Sequence, residues 1–395
     1  MDREKTVMLQ EISMQPEFVR NHIDEMLESM RSVLRNRQPG TIQNGFGIGC
    51  GDSYCAALAV RNYMMMATSR WVEPVESLEF SRYLVGDLPA NSFVFGVSNS
   101  GTVSRTIEGV RLARERGAWT FAVTVSDQSL LARAAETLIK AYSPPNIKES
   151  SDGTRVVTPG TITYTASMLA LYVASVAFGE KLGRLSASRV QELIAEIRSV
   201  ADHMAQADEA VKKLCRDLAP QITPDRTVVI LGGGPNYATA YFGMAKFFEA
   251  LRQPCHCAEL EEWAHEQYFI TDQATDTFII LPAGAGRERG LEQARAARDV
   301  GSRVFIIGPN DDQAASAAAD VFFPMPNGIR ESLTPFVYKV PFEYLTCYVA
   351  IHRNVKFLGF DDPNRQKVNF RQIFDSKQSL SVAEPGQFSG HREKL

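Results

Sequence analysis

A turn in the first third of the chain is rich in hydroxyl side chains. It consists of Ser98, Asn99, Ser100, Gly101 and Thr102. The glycine lets the backbone approach a ligand closely, and the helical pattern that follows would offer its first amides to an anion such as a phosphate. A turn that only caps a helix has the same composition. These residues alone therefore leave phosphate binding and simple capping open.

A second turn strengthens the phosphate hypothesis. Gly51, Asp52 and Ser53 follow the apolar run 46–50 and precede the helical pattern 54–66. In an open parallel sheet, ligands bind at the carboxyl ends of neighbouring strands, so the two turns would share one pocket. Neither turn contains the lysine of a Walker-type loop, which argues against a nucleoside triphosphate. We expect the Asp52 carboxylate to turn away from a bound dianion or to cap the helix.

The second half of the chain contains candidates for proton transfer. Lys246 and Glu249 are three residues apart in a helical pattern and share one face, and His265 follows sixteen residues after Glu249. Such side chains next to a sugar phosphate can move protons beside a carbonyl. A surface ion pair and a solvated acidic helix over 259–266 would show the same spacing. From spacing alone, a surface ion pair and a solvated acidic helix are favoured over a catalytic role.

These side chains must be positioned by alternating strands and helices. Short apolar runs end in small or polar turns, and helical patterns follow them, which predicts parallel sheets covered on both faces. The pattern occurs twice, because successive buried runs begin 47 residues apart at Phe46 and Phe93, and 49 residues apart at Val228 and Thr277. We therefore predict an α/β chain of two similar αβα lobes.

The alternation also predicts how the chain is divided. The expected segments are N-terminal helices (1–40), a first, phosphate-binding lobe (41–185), a helical linker (186–220), a second lobe with Glu249 and His265 (221–358) and a C-terminal tail (359–395). We expect the apolar helical pattern 161–178 to take part in linking the two sheets. The second-lobe loop 283–286 contains no hydroxyl group, so we expect no phosphate site there.

Composition and charge exclude several classes of protein. The 395 residues carry a formal net charge of −4, with scattered lysines and arginines, so we expect no nucleic-acid partner. We find no apolar run of the length that a membrane helix needs and no secretory signal, so we expect a cytoplasmic protein with no membrane partner. The six cysteines include no CxxC pair, and we expect free thiols, no metal and no cofactor.

In combination, these motifs resemble the sugar isomerase (SIS) domain family with two tandem lobes. The resemblance is carried by the turns Cys50–Ser53 and Ser98–Gly101, by Lys246 and Glu249, and by the later His265. The chain looks like the isomerase part of glucosamine-6-phosphate synthase, and still more like the free-standing fructosamine-6-phosphate deglycases. It implies two SIS lobes, each a five-stranded parallel sheet of flavodoxin-like type between helices.

The resemblance also implies roles for individual residues. Glu249 matches the base that moves a proton between C1 and C2, and His265 matches an acid–base histidine that the other subunit of a homodimer often supplies. Lys246 would stabilise developing charge or keep Glu249 ionised. The implied phosphate-binding residues are Ser53, Ser98, Asn99, Ser100 and Thr102. The implied substrate-binding residues are Gly51, Glu79, Thr161 and Lys367.

Together these roles imply a deglycase. It would cleave a 1-deoxy-1-amino-ketose 6-phosphate, an Amadori compound, to an aldose 6-phosphate and a free amine or amino acid. An aldose–ketose isomerase, an aminosugar-phosphate deaminase or an aminotransferase-like enzyme without a glutaminase domain would use the same glutamate. A non-catalytic sugar-phosphate sensor is a further alternative, against which the glutamate and histidine argue. The chain begins with Met-Asp, whereas a glutamine-dependent synthase needs an N-terminal cysteine, so we do not expect a complete synthase.

Overall fold

Two parallel five-stranded sheets form the framework of the computed structural model, which describes residues 2–36, 42–149, 153 and 155–378. Residues 379–395 of the predicted tail lie outside the described residues. The first sheet has the order β2-β1-β3-β4-β5 and consists of β1 (Asn44–Gly49), β2 (Trp71–Glu76), β3 (Ser92–Val97), β4 (Trp119–Thr124) and β5 (Thr137–Lys140). The second has the order β10-β9-β8-β6-β7 and consists of β6 (Thr227–Gly232), β7 (Cys255–Ala258), β8 (Thr275–Ile280), β9 (Arg303–Pro309) and β10 (Val321–Met325).

Both sheets show the same topology. Numbered within its own sheet, each set of strands has the flavodoxin-like order 2-1-3-4-5. This confirms the predicted fold class of two parallel five-stranded lobes. The central strands β3 and β8 are buried along their whole length, as expected for parallel strands covered by helices on both faces. β3 is largely apolar, whereas β8 begins with the polar residues Thr275, Asp276 and Thr277.

Helices cover the sheets and connect them. The first set is α1 (Arg3–Leu34), α2 (Asp52–Thr68), α3 (Ser77–Glu79), α4 (Ser104–Glu115), α5 (Leu130–Ala134), α6 (Ile162–Lys181) and α7 (Ala187–Leu218). The second set is α8 (Tyr237–Leu251), α9 (Leu260–His265), α10 (Arg287–Asp299), α11 (Gln313–Ala318), α12 (Pro335–Tyr338), α13 (Val340–His352) and α14 (Pro363–Phe374). A π-helical turn, Phe80–Leu84, follows α3.

The position of α6 corrects one expectation. This helix packs against α1 and α2 inside the core, and its Tyr164 ring stacks on Phe242 of the second lobe at a centroid distance of 4.4 Å. It is also the one described helix that is long and apolar enough to cross a membrane, whereas the sequence was expected to contain no such run. Nearly all of it is buried within the protein. A helix that is apolar on every side is what a central core position requires.

Several short elements were not predicted from the sequence. The strands β5, β7 and β10 are only four to five residues long, too short to give a clear periodicity. The helix α14 occupies part of the expected polar tail, and none of its residues is buried. Its apolar residues Val368 and Phe370 are exposed.

The two lobes meet through equivalent helices. The helix α2 follows β1 of the first sheet, and α8 follows β6 of the second, and these two helices pack against each other. Because each helix begins at the carboxyl end of its strand, their contact brings residues from both lobes together. This contact positions the candidate site.

Candidate active site

The buried side chain of Lys246 joins the two lobes. Its ammonium is 0% exposed and donates hydrogen bonds to Asp52 Oδ2 (2.9 Å), the Gly160 carbonyl (3.0 Å) and Glu249 Oε2 (2.5 Å). An ammonium has three N–H donors, so these acceptors use all of them. The Phe242 ring, whose centroid is 4.6 Å from Nζ, packs on the same group. In this arrangement the lysine holds two carboxylates and has no donor left for a substrate.

Burial and charge set the protonation of this cluster. Burial alone would lower the pKa of Lys246, but the charges of Asp52 and Glu249 outweigh it and raise that pKa. Burial raises the pKa of Glu249; the ion pair with Lys246 opposes the rise, and the nearby charge of Asp52 adds to it. The Glu249 side chain keeps 31% of its surface exposed. An accessible carboxylate with a raised pKa suits a general base that works near neutral pH.

The hydroxyl-rich turn connects β3 to α4. Ser98 is buried, and its Oγ accepts a 3.1 Å hydrogen bond from the Gly101 N–H, which closes the turn. Gly101 has a φ of +66°, and a side chain there would collide with Ser129, so the turn requires glycine. The hydroxyls of Ser100 and Thr102 lie 2.8 Å apart, with Ser100 exposed to solvent.

Two features of this turn fit anion binding better than capping. Among the described residues, no side chain caps α4, which is preceded by Val103. The buried Nδ2 of Asn99 has no hydrogen-bond partner in the described part of the chain. An unpaired buried donor costs about 1–3 kcal/mol. An acceptor-rich ligand at the turn would satisfy both the asparagine and the first amides of the helix.

The two predicted turns lie side by side. The strands that precede them, β1 and β3, are paired in the sheet. Cys50 Sγ, at the end of the first strand, lies 4.0 Å from Thr106 Oγ1 in the first turn of α4. Ser53 is half-buried in the first turn of α2, directly after the Asp52 that binds Lys246. The two turns thus follow neighbouring strands, and the first turn of α2 carries the aspartate of the ion-pair cluster.

The equivalent loop of the second lobe is filled by the protein itself. The Glu331 carboxylate lies against Gly284, and the Ala285 N–H donates to Glu331 Oε2 at 3.4 Å. An intramolecular carboxylate therefore occupies the start of α10, the position that corresponds to the hydroxyl-rich turn of the first lobe.

His265 and Lys367 lie apart from this cluster. His265 ends α9 with its side chain 68% exposed, and its Nε2 is 3.4 Å from Glu261. Lys367 is exposed on α14. Within the described residues, no hydrogen bond joins either side chain to Glu249. The roles expected for His265 and Lys367 stay predictions.

The remaining predicted residues differ in burial. Gly51 is exposed, has a φ of +56° and precedes α2. Glu79 is exposed at the end of α3. Thr161 is buried and directs its hydroxyl to Glu11 Oε2 at 3.4 Å. It follows Gly160, so it supports the carbonyl that accepts from the buried lysine.

Sequence reasoning missed a buried polar network behind the site. Lys339 and Glu343 form a 2.8 Å ion pair in which both side chains are 0% exposed, and Gln15 of α1 bonds to both. Burial lowers the pKa of Lys339 and raises that of Glu343. The spacing of these residues could have indicated the network. Glu11 and Gln15 stand four residues apart on the buried face of α1, and Lys339 and Glu343 stand four residues apart in an apolar run.

Cysteine and histidine side chains do not converge on a metal position. In the described part of the chain, no group of three or more His, Cys, Asp or Glu residues could hold a metal ion. Cys255, His256 and Cys257 lie in β7. Because successive strand residues point to opposite faces, the histidine cannot share a face with either neighbour.

Comparison with known proteins supports the resemblance. Residues 44–177, which contain the first sheet and the hydroxyl-rich turn, match the SIS domain family. The glutamine–fructose-6-phosphate aminotransferase (isomerizing) of Gloeobacter violaceus is 24% identical over 360 residues, which are 90% of this chain and 57% of that protein. The chain therefore spans little more than half the length of this relative. The match confirms the SIS resemblance for the first lobe.

Solved structures share the fold of both lobes. The C-terminal domain of glucosamine-fructose-6-phosphate aminotransferase from Francisella tularensis gives a TM-score of 0.77 at 17% identity, covering 89% of this chain and 97% of that chain. Glucosamine-6-phosphate deaminase from Thermotoga maritima gives 0.61 at 15% identity, covering 86% of this chain and 95% of that chain. At such low identity these likenesses establish the fold alone.

Proposed function

We propose that this chain, whose residues 44–177 form a SIS domain, is a phosphosugar enzyme that cleaves a 1-deoxy-1-amino-ketose 6-phosphate. Its products are an aldose 6-phosphate and a free amine or amino acid. The observation that carries the proposal is the cluster of Asp52, Lys246 and Glu249 beside the hydroxyl-rich turn. It supplies one accessible carboxylate with a raised pKa next to a place for a phosphate.

In this proposal the phosphate binds at the first lobe. Ser100 and Thr102 offer hydroxyls and Asn99 offers its unpaired amide, while Ser53 approaches from the neighbouring turn. The first amides of α4 add the partial positive charge of a helix start. The sugar carbons then extend toward Glu249, because the same edge of the first lobe connects to it through Asp52 and Lys246.

Glu249 performs the proton transfers. It removes one proton from C1, the C–H electron pair forms the C1–C2 double bond, and the C2 carbonyl oxygen takes up a proton to give an enaminol. The protonated Glu249 then returns a proton to C2 while the nitrogen forms a double bond to C1 and releases its own proton. Water adds to C1 of this imine, and the C–N bond breaks with its electron pair leaving on the amine. Each assisted proton transfer contributes about 10²–10⁴-fold to the rate.

A second subunit would bring in His265. The segment Gln267–Ile270 follows this histidine, and its Phe269 is 77% exposed, with Tyr268 and Ile270 also exposed. Adjoining exposed apolar side chains mark surfaces that bind other proteins. The proposal therefore includes a homodimer in which His265 enters the partner's site and donates the proton to the C2 oxygen.

An aldose–ketose isomerase is the second candidate. It is favoured by the same accessible Glu249, because moving a proton between C1 and C2 needs no amine. The two functions differ in the substrate that is converted and in whether an amine is released.

Incubation with fructosamine 6-phosphate distinguishes the candidates. Release of aldose 6-phosphate and of an equal amount of amine supports the deglycase. Conversion of fructose 6-phosphate alone, with no cleavage of the aminated sugar, supports the isomerase. Binding of both compounds without conversion of either would reject both enzymes in favour of a sensor.

A further inference from the structure

A solvent-open groove lies beside Glu249 on the second lobe. It has a volume of about 410 Å³, and its wall includes Phe248, Glu249, Arg252, Leu358 and Arg365. Glu249 contributes its carboxylate to the buried cluster on one side and borders this groove on the other. A ligand in the groove would therefore adjoin the proposed proton-transfer group.

Two arginines place positive charge in this groove. Both are exposed, and a side chain built at Gly359 would meet Arg252 and Arg365 at once, so the two side chains lie next to each other. Arg252 reaches one carboxylate, Asp361, at 4.0 Å, where both side chains are about half exposed. Such an exposed and distant ion pair is weak. Both guanidinium groups therefore keep donors available for an anion.

The groove and the hydroxyl-rich turn lie at opposite ends of α14. Arg365 lies in the first turn of this helix and borders the groove together with Leu358, and at the other end the Phe374 carbonyl accepts a hydrogen bond from Ser104, the first residue of α4. Nine residues of this helix separate Arg365 from Phe374, which is about 14 Å at 1.5 Å per residue. The conjugate of a ketose 6-phosphate and an amino acid, together with the long arginine side chains, has the length to bridge this distance.

We propose that Arg252 and Arg365 bind the carboxylate of an amino acid attached to C1 of the sugar. This inference rests on the proposed function, and it narrows the substrate to conjugates of amino acids rather than of simple amines. The sugar phosphate already has its own site at the turn, so the second anion must come from the amine. A guanidinium presents parallel N–H donors that match the two oxygens of a carboxylate.

A continuation of the groove gives room for the amino-acid side chain. A second space of about 390 Å³ shares Leu358 and Arg365 with the first and extends along α14. Its wall combines Phe360 and Val368 with the amide of Asn369. Apolar and amide groups of this kind accept side chains of different size and polarity.

The test compares two conjugates that differ in one charge. Fructosyl-glycine 6-phosphate carries the carboxylate, and its glycinamide analogue replaces it with a neutral amide of similar shape. We expect kcat/KM of the wild-type protein to be about 10- to 100-fold higher for the acid, the range for hydrogen bonds to a charged group. Arg252→Gln and Arg365→Gln should each bring this ratio toward one, while Arg365→Lys keeps part of the preference.

Controls separate this inference from the proposed function. Arg295→Gln, at an exposed position of α10, should leave the ratio unchanged, and thermal melting should show that all variants fold. Equal rates for both conjugates in the wild type would overturn the carboxylate site. Loss of fructose 6-phosphate binding in Arg365→Gln would also overturn it, because the arginines would then hold the sugar phosphate. If neither conjugate is cleaved, the proposed deglycase activity is wrong. The ratio of the two dissociation constants then tests the carboxylate site: tighter binding of the acid than of the amide supports it, and equal affinities overturn it.

Discussion

Lys246 of the second lobe donates a 2.9 Å hydrogen bond to Asp52 of the first. The same ammonium holds Glu249, so one side chain connects the proposed base to the lobe that contains the hydroxyl-rich turn. Two carboxylates share this single positive charge. The arrangement keeps Glu249 both oriented and easier to protonate than an ordinary glutamate, which is the property that a returning proton requires.

Removal of the Asp52 charge should move the pH dependence of catalysis. Asp52 raises the pKa of Glu249, so Asp52→Asn should lower that pKa and leave the base ionised at lower pH. We expect the acidic limb of the kcat/KM profile to shift to lower pH, as measured by a pH–rate series. Asp299→Asn, an exposed substitution on α10, serves as the control. If the acidic limb of the profile stays in place or moves to higher pH, the charge of Asp52 does not raise the pKa of Glu249.

Loss of a hydroxyl in the turn should weaken binding of the sugar phosphate. Ser100→Ala removes one exposed donor next to Thr102, and we expect roughly tenfold weaker binding, as for one hydrogen bond to a charged group. Isothermal titration with fructose 6-phosphate measures the effect, and Ser13→Ala on the exposed side of α1 is the control. Unchanged affinity in Ser100→Ala, with Ser13→Ala also unchanged, would remove the turn from the phosphate site.

The buried pair behind the site should control stability. Lys339→Met leaves Glu343 buried without its cation, and we expect a loss of about 3–5 kcal/mol in the free energy of unfolding. The double variant Lys339→Met/Glu343→Leu should recover part of this loss. Urea denaturation measures both, and the exposed pair Lys213–Asp217 provides a matched control whose disruption should change little. An equal loss in the free energy of unfolding at the buried and the exposed pair would contradict the claim that burial makes the Lys339–Glu343 pair important for stability.

Mixing of two inactive variants tests the shared site. Glu249→Gln lacks the base, and His265→Asn lacks the histidine that we assign to the partner subunit. In a mixed homodimer one of the two sites regains both groups, so subunit exchange should restore about a quarter of wild-type activity. Sedimentation confirms that mixed dimers form. Mixed dimers without activity would place His265 outside the partner's site.

The sequence predicted what depends on local pattern and missed what depends on distant contacts. Apolar runs indicated the buried strand β3 and the second half of β8, and the three-residue spacing indicated that Lys246 and Glu249 share a helix face. The partner of that lysine, Asp52, is 194 residues away, so no spacing rule could identify it. Arg252 and Arg365 are likewise brought together by the course of the chain around Gly359.

The most direct test of the account follows the proton that Glu249 is proposed to return to C2. The reaction of fructosamine 6-phosphate is run in deuterated water, and the aldose 6-phosphate is analysed by NMR. We predict one deuterium at C2 of the product, because an accessible carboxylate exchanges its proton with solvent before returning it, and a loss of turnover of about 10²–10⁴-fold in Glu249→Gln. An aldose 6-phosphate formed at an undiminished rate by Glu249→Gln would contradict the proposed mechanism.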